Sequence, residues 1–263
     1  METKTPFRER FWNAIKQPSF KALQAIERAT VRYSLVGDKT FFDNADFPWV
    51  DDLEANWEVI RAELDEVLKE REMLPSFHEI SKDQVSITKD DKWKTFFLYG
   101  FGYKAEANCA RCPETTKLME RIPGMKTAMF SILAPGKHIP HHRGPYKGVL
   151  RCHLGLQVPE PKEQCRIRVG HDIRHWEEGK CMVFDDTFDH EVWNETDGQR
   201  VVLFMDIVRP FRQPVDSINR GIIKLVGWSP FVQNAKKNQE AWERRMRQAR
   251  AAARPQPEVV AEP

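Results

Sequence analysis

Between Val149 and Val158 the chain reads VLRCHLGLQV. Leu150, Cys152, Leu154, Leu156 and Val158 fall on one parity; Arg151, His153 and Gly155 fall on the other. A period of two is that of a strand whose two faces meet different surroundings. The same period begins upstream at Thr127, where Met129, Ser131 and Leu133 alternate with Ala128, Phe130 and Ile132. KTFFLYGF, from Lys94, reads as a strand, as do Cys165–Val169, Cys181–Phe184, Glu191–Trp193 and Arg200–Val208. Short strands separated by Gly, Pro and Asp turns predict an antiparallel sandwich or jelly roll.

Helical patterns flank these strands, so the class is mainly β with flanking helices. Leu53, Trp57, Ile60, Leu64, Val67 and Leu68 predict a helix from about Asp51 to Arg71. A shorter one is expected at Cys112–Glu120, with Pro113 early. Residues 7–36 form a basic amphipathic pattern broken near Pro18, and 74–92 read as irregular. Beyond Pro210 the pattern turns helical again through Ile218, Ile222, Ile223, Leu225 and Trp228, then becomes strongly basic from about Gln233 to Arg250. The expected organisation is an amphipathic segment at 1–38, a β domain at 39–212, a basic helical segment at 213–252 and a disordered tail at 253–263.

A hydrophobic fraction of 41% over 263 residues supports a real core. The 41 basic and 39 acidic residues leave a net charge of +2, so nucleic acid is not an expected partner. No apolar run reaches the ~18 residues of a spanning helix. Five cysteines with one lone C-x-x-C pair, Cys109 and Cys112, read as reduced thiols rather than a zinc site. The expectation is a cytoplasmic protein, with peripheral contact to anionic membrane through the basic terminal helices.

The polar residues on the strands suggest chemistry. An arginine in an apolar strand is costly unless an anion meets it. Arg200 and Arg151 directed into one barrel call for a dianion such as 2-oxoglutarate, which guanidinium groups hold bidentately. Ser131 offers a further hydrogen bond. His142 and His190 suit Fe(II), whose usual oxygenase site is two His and one carboxylate. The carboxylate normally stands two residues after the first His, where this chain has Gly144.

In these residues the chain resembles bacterial members of the aspartyl/asparaginyl β-hydroxylase family of Fe(II)/2-oxoglutarate dioxygenases. The resemblance covers roughly Phe41 to Pro210 and rests on SILAPGKHIPHHRGP, LRCHLGL, WEEGKCMVFDDTFDHEVWN and RVVLFMDIVRP. It implies a double-stranded β-helix, with His142 and His190 as iron ligands and Arg200 on the distal carboxylate of 2-oxoglutarate. Ser131, Arg151 and His153 would hold or orient its oxalyl end. Asp186 would stand behind the metal and anchor an iron-bound water. The implied reaction uses O2, decarboxylates 2-oxoglutarate to succinate and hydroxylates an unactivated C–H bond.

For the substrate the resemblance implies two classes. The animal peptide hydroxylase of the family also has Gly at the third-ligand position, whereas bacterial lipid A acyl-chain hydroxylases keep Asp there and tend to carry a membrane anchor. Gly144 therefore favours β-hydroxylation of an Asp- or Asn-type residue in a peptide or protein. Val149 stands where the animal enzyme has an Arg for the acidic target. FFDNADFPWVDDLEANW and HHRGPYKG look bacterial, which keeps a lipid acyl chain as the alternative. A barrel that only binds 2-oxoglutarate is a third reading.

Overall fold

The computed structural model describes Ala25 and residues 27–252. Most of the expected N-terminal amphipathic segment, and the whole expected tail at 253–263, lie outside the described residues. Ten strands form the body: β1 Trp93–Gly100, β2 Tyr103–Lys104, β3 Met125–Leu133, β4 Lys137–His142, β5 Val149–Gln157, β6 Cys165–Val169, β7 Asp172–His175, β8 Cys181–Phe184, β9 His190–Asn194 and β10 Arg200–Val208. They make two antiparallel sheets, ordered β2-β1-β3-β10-β5-β8 and β4-β9-β6-β7. This is the expected jelly roll.

The parity read from the sequence becomes two apolar layers. One face of the larger sheet, with Phe96, Ala128, Phe130, Leu150, Leu154 and Leu203, is buried under helices α1 Trp49–Ala55, α2 Trp57–Leu68 and α3 Pro113–Arg121. Each fully buried Leu or Phe there contributes about 2 kcal/mol by area removed from water. The other face meets the smaller sheet through Met129, Leu133, Ile139, Ile167, Val169, Val192, Val202 and Phe204. That inner face also carries the polar row, because Ser131 is paired with Val202 and His153 with Phe204.

Four details differ from the sequence reading. The single helix expected at 51–71 is two helices, because Asn56 leaves helical geometry and its side-chain amide donates to the Asp52 carbonyl at 2.7 Å. None of the strands expected from the sequence covers 137–142, yet β4 lies there and ends on His142, directly opposite His190 in β9. The edge strand β7 went unread, since its sequence DIRH is short, exposed and polar. A one-turn helix at Phe77–Ile80 stands in the stretch read as irregular, held by a Ser76–Glu79 capping box.

After the barrel come α4 Val215–Gly227 and α5 Pro230–Ala252. The basic helix α5 docks on the domain. Trp242 is buried and donates to the Met73 carbonyl at 3.1 Å, and Asn238 donates to that of Ile80 at 2.9 Å. Among the described residues no helix is long and apolar enough to cross a membrane.

Candidate active site

The pairing of β4 with β9 sets the two site histidines side by side. The rings of His142 and His190 lie 4.0 Å apart between centroids. Nδ1 of His142 stands 2.8 Å from the Pro140 carbonyl, and Nδ1 of His190 3.1 Å from that of Phe188. A carbonyl only accepts, so each Nδ1 carries the hydrogen and each Nε2 keeps its lone pair. Burial first, then the neighbouring imidazole for His142 and Arg151 for His190, pulls both pKa values down to about 4. Both rings are therefore neutral near pH 7, the form that binds a metal. Among the described residues no cluster of three His, Cys, Asp or Glu side chains is placed to cage a metal. A metal held by this pair would take its remaining ligands from small molecules.

The missing carboxylate at residue 144 has a spatial explanation. A Cβ built on Gly144 would lie 2.3 Å from Cγ and both carboxylate oxygens of Asp186. The Gly144 N–H also donates to the Asp186 carbonyl at 2.7 Å. The carboxyl group of Asp186 thus fills the volume that a side chain at 144 would need. Burial holds its pKa above the usual carboxylate range, and Arg151 partly offsets this. Oδ2 pairs with Arg151 Nη2 at 2.9 Å, while Oδ1 is buried without a hydrogen-bond partner. That free oxygen is placed to accept from a water or hydroxyl in the site.

A buried ion cluster fixes the turn that carries Asp186. Arg209 donates from Nη1 to Asp185 at 2.7 Å and from Nε to Ser34 at 3.1 Å. Lys147 reaches Asp185 at 3.2 Å and Asp38 at 2.7 Å. Glu27, also buried, pairs with Arg143 at 3.0 Å and accepts from the Lys147 N–H at 2.8 Å. The loop after His142 and the turn before His190 are thereby tied together.

The two arginines expected to share a dianion have different surroundings. Arg151 is already neutralised, with Asp206 at 3.1 Å in addition to Asp186, and it lies 4.3 Å over the Phe204 ring. Arg200 is 2% exposed; its Nε and Nη1 have no hydrogen-bond partner, and burial drags its pKa down to about 10. The Trp176 ring lies 4.5 Å from its guanidinium carbon. A cation buried this way is a socket for an anion.

Two further donors line the approach. Trp176 Nε1 donates to His153 Nδ1 at 3.3 Å, so His153 carries its hydrogen on Nε2, which is buried and unpartnered. Burial keeps that imidazole neutral, its pKa well below the usual value. Ser131 accepts from Trp93 Nε1 at 3.0 Å, which leaves its own hydroxyl hydrogen to donate. Ser131, Arg200 and His153 come from the adjacent strands β3, β10 and β5. The fit to a dicarboxylate is therefore good: one uncompensated guanidinium, one orphaned imidazole N–H and one hydroxyl, with the histidine pair beyond.

All seven residues singled out from the sequence line this interior. Asp206, Trp176 and Trp93 were missed. Asp206 shares the parity of Arg200 and was legible from it; the two tryptophans come from segments whose order along the chain gives no sign of the barrel's interior.

Comparison with known proteins follows the same lines. The family profile for aspartyl/asparaginyl beta-hydroxylase matches residues 54–210. An ornithine lipid ester-linked acyl 2-hydroxylase from Rhizobium tropici is 47% identical over 219 residues, which cover 83% of this chain and 78% of that protein. The human aspartyl/asparaginyl beta-hydroxylase is 36% identical over 170 residues, covering 63% of this chain but 22% of that much longer protein. Among solved structures, a Pseudomonas putida prolyl-4-hydroxylase aligns with 61% of this chain and 99% of its own at 15% identity and a TM-score of 0.39, a likeness too loose to carry an argument.

Proposed function

The chain belongs to the aspartyl/asparaginyl β-hydroxylase family, and from that premise we propose that it is an Fe(II)- and 2-oxoglutarate-dependent hydroxylase acting on the acyl chain of a polar lipid. The observation that carries the cosubstrate is Arg200, a buried cation with two unpartnered nitrogens that shares the Trp176 ring with His153, whose Nε2 is also unpartnered. The 47% identity to a lipid acyl hydroxylase supports the substrate class.

Fe(II) would be held by Nε2 of His142 and of His190. When bound, iron with 2-oxoglutarate and O2 supplies the oxidising power that puts hydroxyl on an unactivated C–H bond. The protein does the rest. Arg200 holds the distal carboxylate, and Ser131 and His153 orient the cosubstrate along the inner face. Asp186, steadied by Arg151, offers Oδ1 to a water or hydroxyl beside the histidine pair. Phe184, Phe204 and Trp176 keep bulk water away from His153.

Gly144 no longer speaks for a peptide substrate. Asp186 occupies its side-chain space, and that packing reason holds for either substrate. The peptide reading keeps the support of the human relative at 36% identity. The test is succinate formation by the purified chain with Fe(II) and 2-oxoglutarate, offered either an ester-linked acyl amino-acid lipid or an Asp-containing peptide. Stimulation by the lipid alone is expected. Stimulation by the peptide alone overturns the lipid reading, and no succinate with either points to the binding-only barrel.

A further inference from the structure

The lipid reading requires this barrel to reach a substrate whose acyl chain lies in a bilayer. The described surface contains one concentrated apolar region suited to that. Ile218, Leu225, Trp228 and Phe231 are 54%, 60%, 60% and 41% exposed; they lie in α4, at its C-cap and in the first turn of α5. Ile218, Ile222 and Leu225 recur at helical spacing on the flank of α4, beside the face that buries Val215, Asn219 and Ile223. The strap at 33–35 adds Tyr33 and Leu35, also exposed. It is bonded to the foot of α4 by Leu35 N–H to the Pro210 carbonyl at 3.0 Å and Arg212 N–H to that of Tyr33 at 2.9 Å.

Charge and position favour one occupant. Arg212 precedes α4, and Arg220 and Lys224 lie on it; the one acidic residue between 210 and 231, Asp216, is taken by Arg220 at 2.7 Å. Among the described residues neither Arg212 nor Lys224 forms an ion pair with a carboxylate, and Lys224 Nζ lies 5.8 Å over the Trp228 ring. Apolar anchors with tryptophan, rimmed by cations, are the chemistry of an anionic lipid interface. The buried face of α4 rests on the loop that follows His142. Tyr146 donates to Asn219 at 2.7 Å, and Asn219 donates to the Gly148 carbonyl at 2.9 Å.

We propose that the outer face of α4, with Trp228 and Phe231, docks the protein on an anionic bilayer and holds the loop at 143–148, packed on the opposite face of α4, about one helix width from it. This rests on the lipid reading but is tested apart from it. The full chain is floated with vesicles of phosphatidylcholine alone and with vesicles containing phosphatidylglycerol. The wild type should float with the anionic vesicles, at least tenfold better than with neutral ones, and release in about 0.5 M salt, where charges are screened. Leu225→Asp with Trp228→Asp should lose that binding tenfold or more. Arg220→Glu with Lys224→Glu keeps the apolar residues and should lose it as well.

Both variants should keep the wild-type melting temperature and the wild-type rate of substrate-independent 2-oxoglutarate decarboxylation. Absence of wild-type binding overturns the proposal, as does undiminished binding by both variants. So does a change of oligomeric state or a loss of folding in both, since the face would then be covered by a second copy or by residues 1–24. Vesicle binding without lipid hydroxylation would leave the docking face standing and remove the substrate assignment instead.

Discussion

Replacing Arg200 with methionine separates the anchor proposed for 2-oxoglutarate from the fold that holds it. Arg200 is 2% exposed, and burial brings its pKa from its ordinary range above 12 to about 10. A base whose pKa falls on folding destabilises the folded state at every pH below the lowered value. A fall of ~2.5 at ~1.36 kcal/mol per pKa unit is about 3 kcal/mol. The stack on Trp176 at 4.5 Å returns about 1–2 kcal/mol of that. Methionine fills similar volume without the charge, so the ligand-free variant should be as stable as wild type or more stable by about 1–2 kcal/mol. The cosubstrate reverses the sign. Losing a charge-assisted bidentate pair costs ~2–3 kcal/mol, so the 2-oxoglutarate requirement should rise roughly 30- to 150-fold. Urea unfolding with and without Mn(II) and 2-oxoglutarate reads the first effect, and initial rates of succinate formation read the second. A variant that is at least ~2 kcal/mol less stable alone, yet gains wild-type stabilisation from 2-oxoglutarate, would refute the reasoning. Arg200 would then be a residue of the fold and not a socket.

Three other substitutions probe the same interior. Gly144→Asp restores the two-His-one-carboxylate pattern in sequence but collides with Asp186 at 2.3 Å. It should cost about 2 kcal/mol or more without tightening iron, as read by thermal melts and Fe(II) titration; pairing it with Asp186→Ala should recover the stability. Asp185→Ala leaves the fully buried Arg209 without its carboxylate, and a loss of ~3–5 kcal/mol is expected in chemical unfolding. Gly155→Ala would bring a Cβ within 2.1 Å of the Glu177 carbonyl, backbone against backbone, and a loss of about 3 kcal/mol should appear as a lower melting temperature.

Much of the barrel was legible because strand parity sorts side chains without any knowledge of partners. The parity of VLRCHLGLQV placed Arg151 and His153 on the inner face, and that of Arg200 and Val202 put the guanidinium there too. Parity cannot say which charges are already met. Arg151 and Arg200 look alike in sequence, yet the first lies between Asp186 and Asp206 and the second pairs with no carboxylate among the described residues. The meaning of Gly144 was equally hidden. Its partner Asp186 is 42 residues on, and only the pairing of β4 with β9 brings the two loops into one volume. The substrate expectation that leaned on Gly144 was therefore built on a packing constraint. The basic C-terminal pattern was also only half readable, since sequence could not show that α5 spends its Trp242 face on the domain while α4 leaves apolar residues exposed.

The most direct measurement follows the oxygen atom. Purified protein with Fe(II), ascorbate and 2-oxoglutarate is supplied with isotopically labelled O2, vesicles containing an ester-linked acyl amino-acid lipid, and an Asp-containing peptide in the same tube. Mass spectrometry should find one labelled oxygen in the lipid acyl chain, with one succinate formed for each, and none in the peptide. Label in the peptide with an unmodified lipid, or succinate formed without label in either, would contradict a lipid acyl hydroxylase.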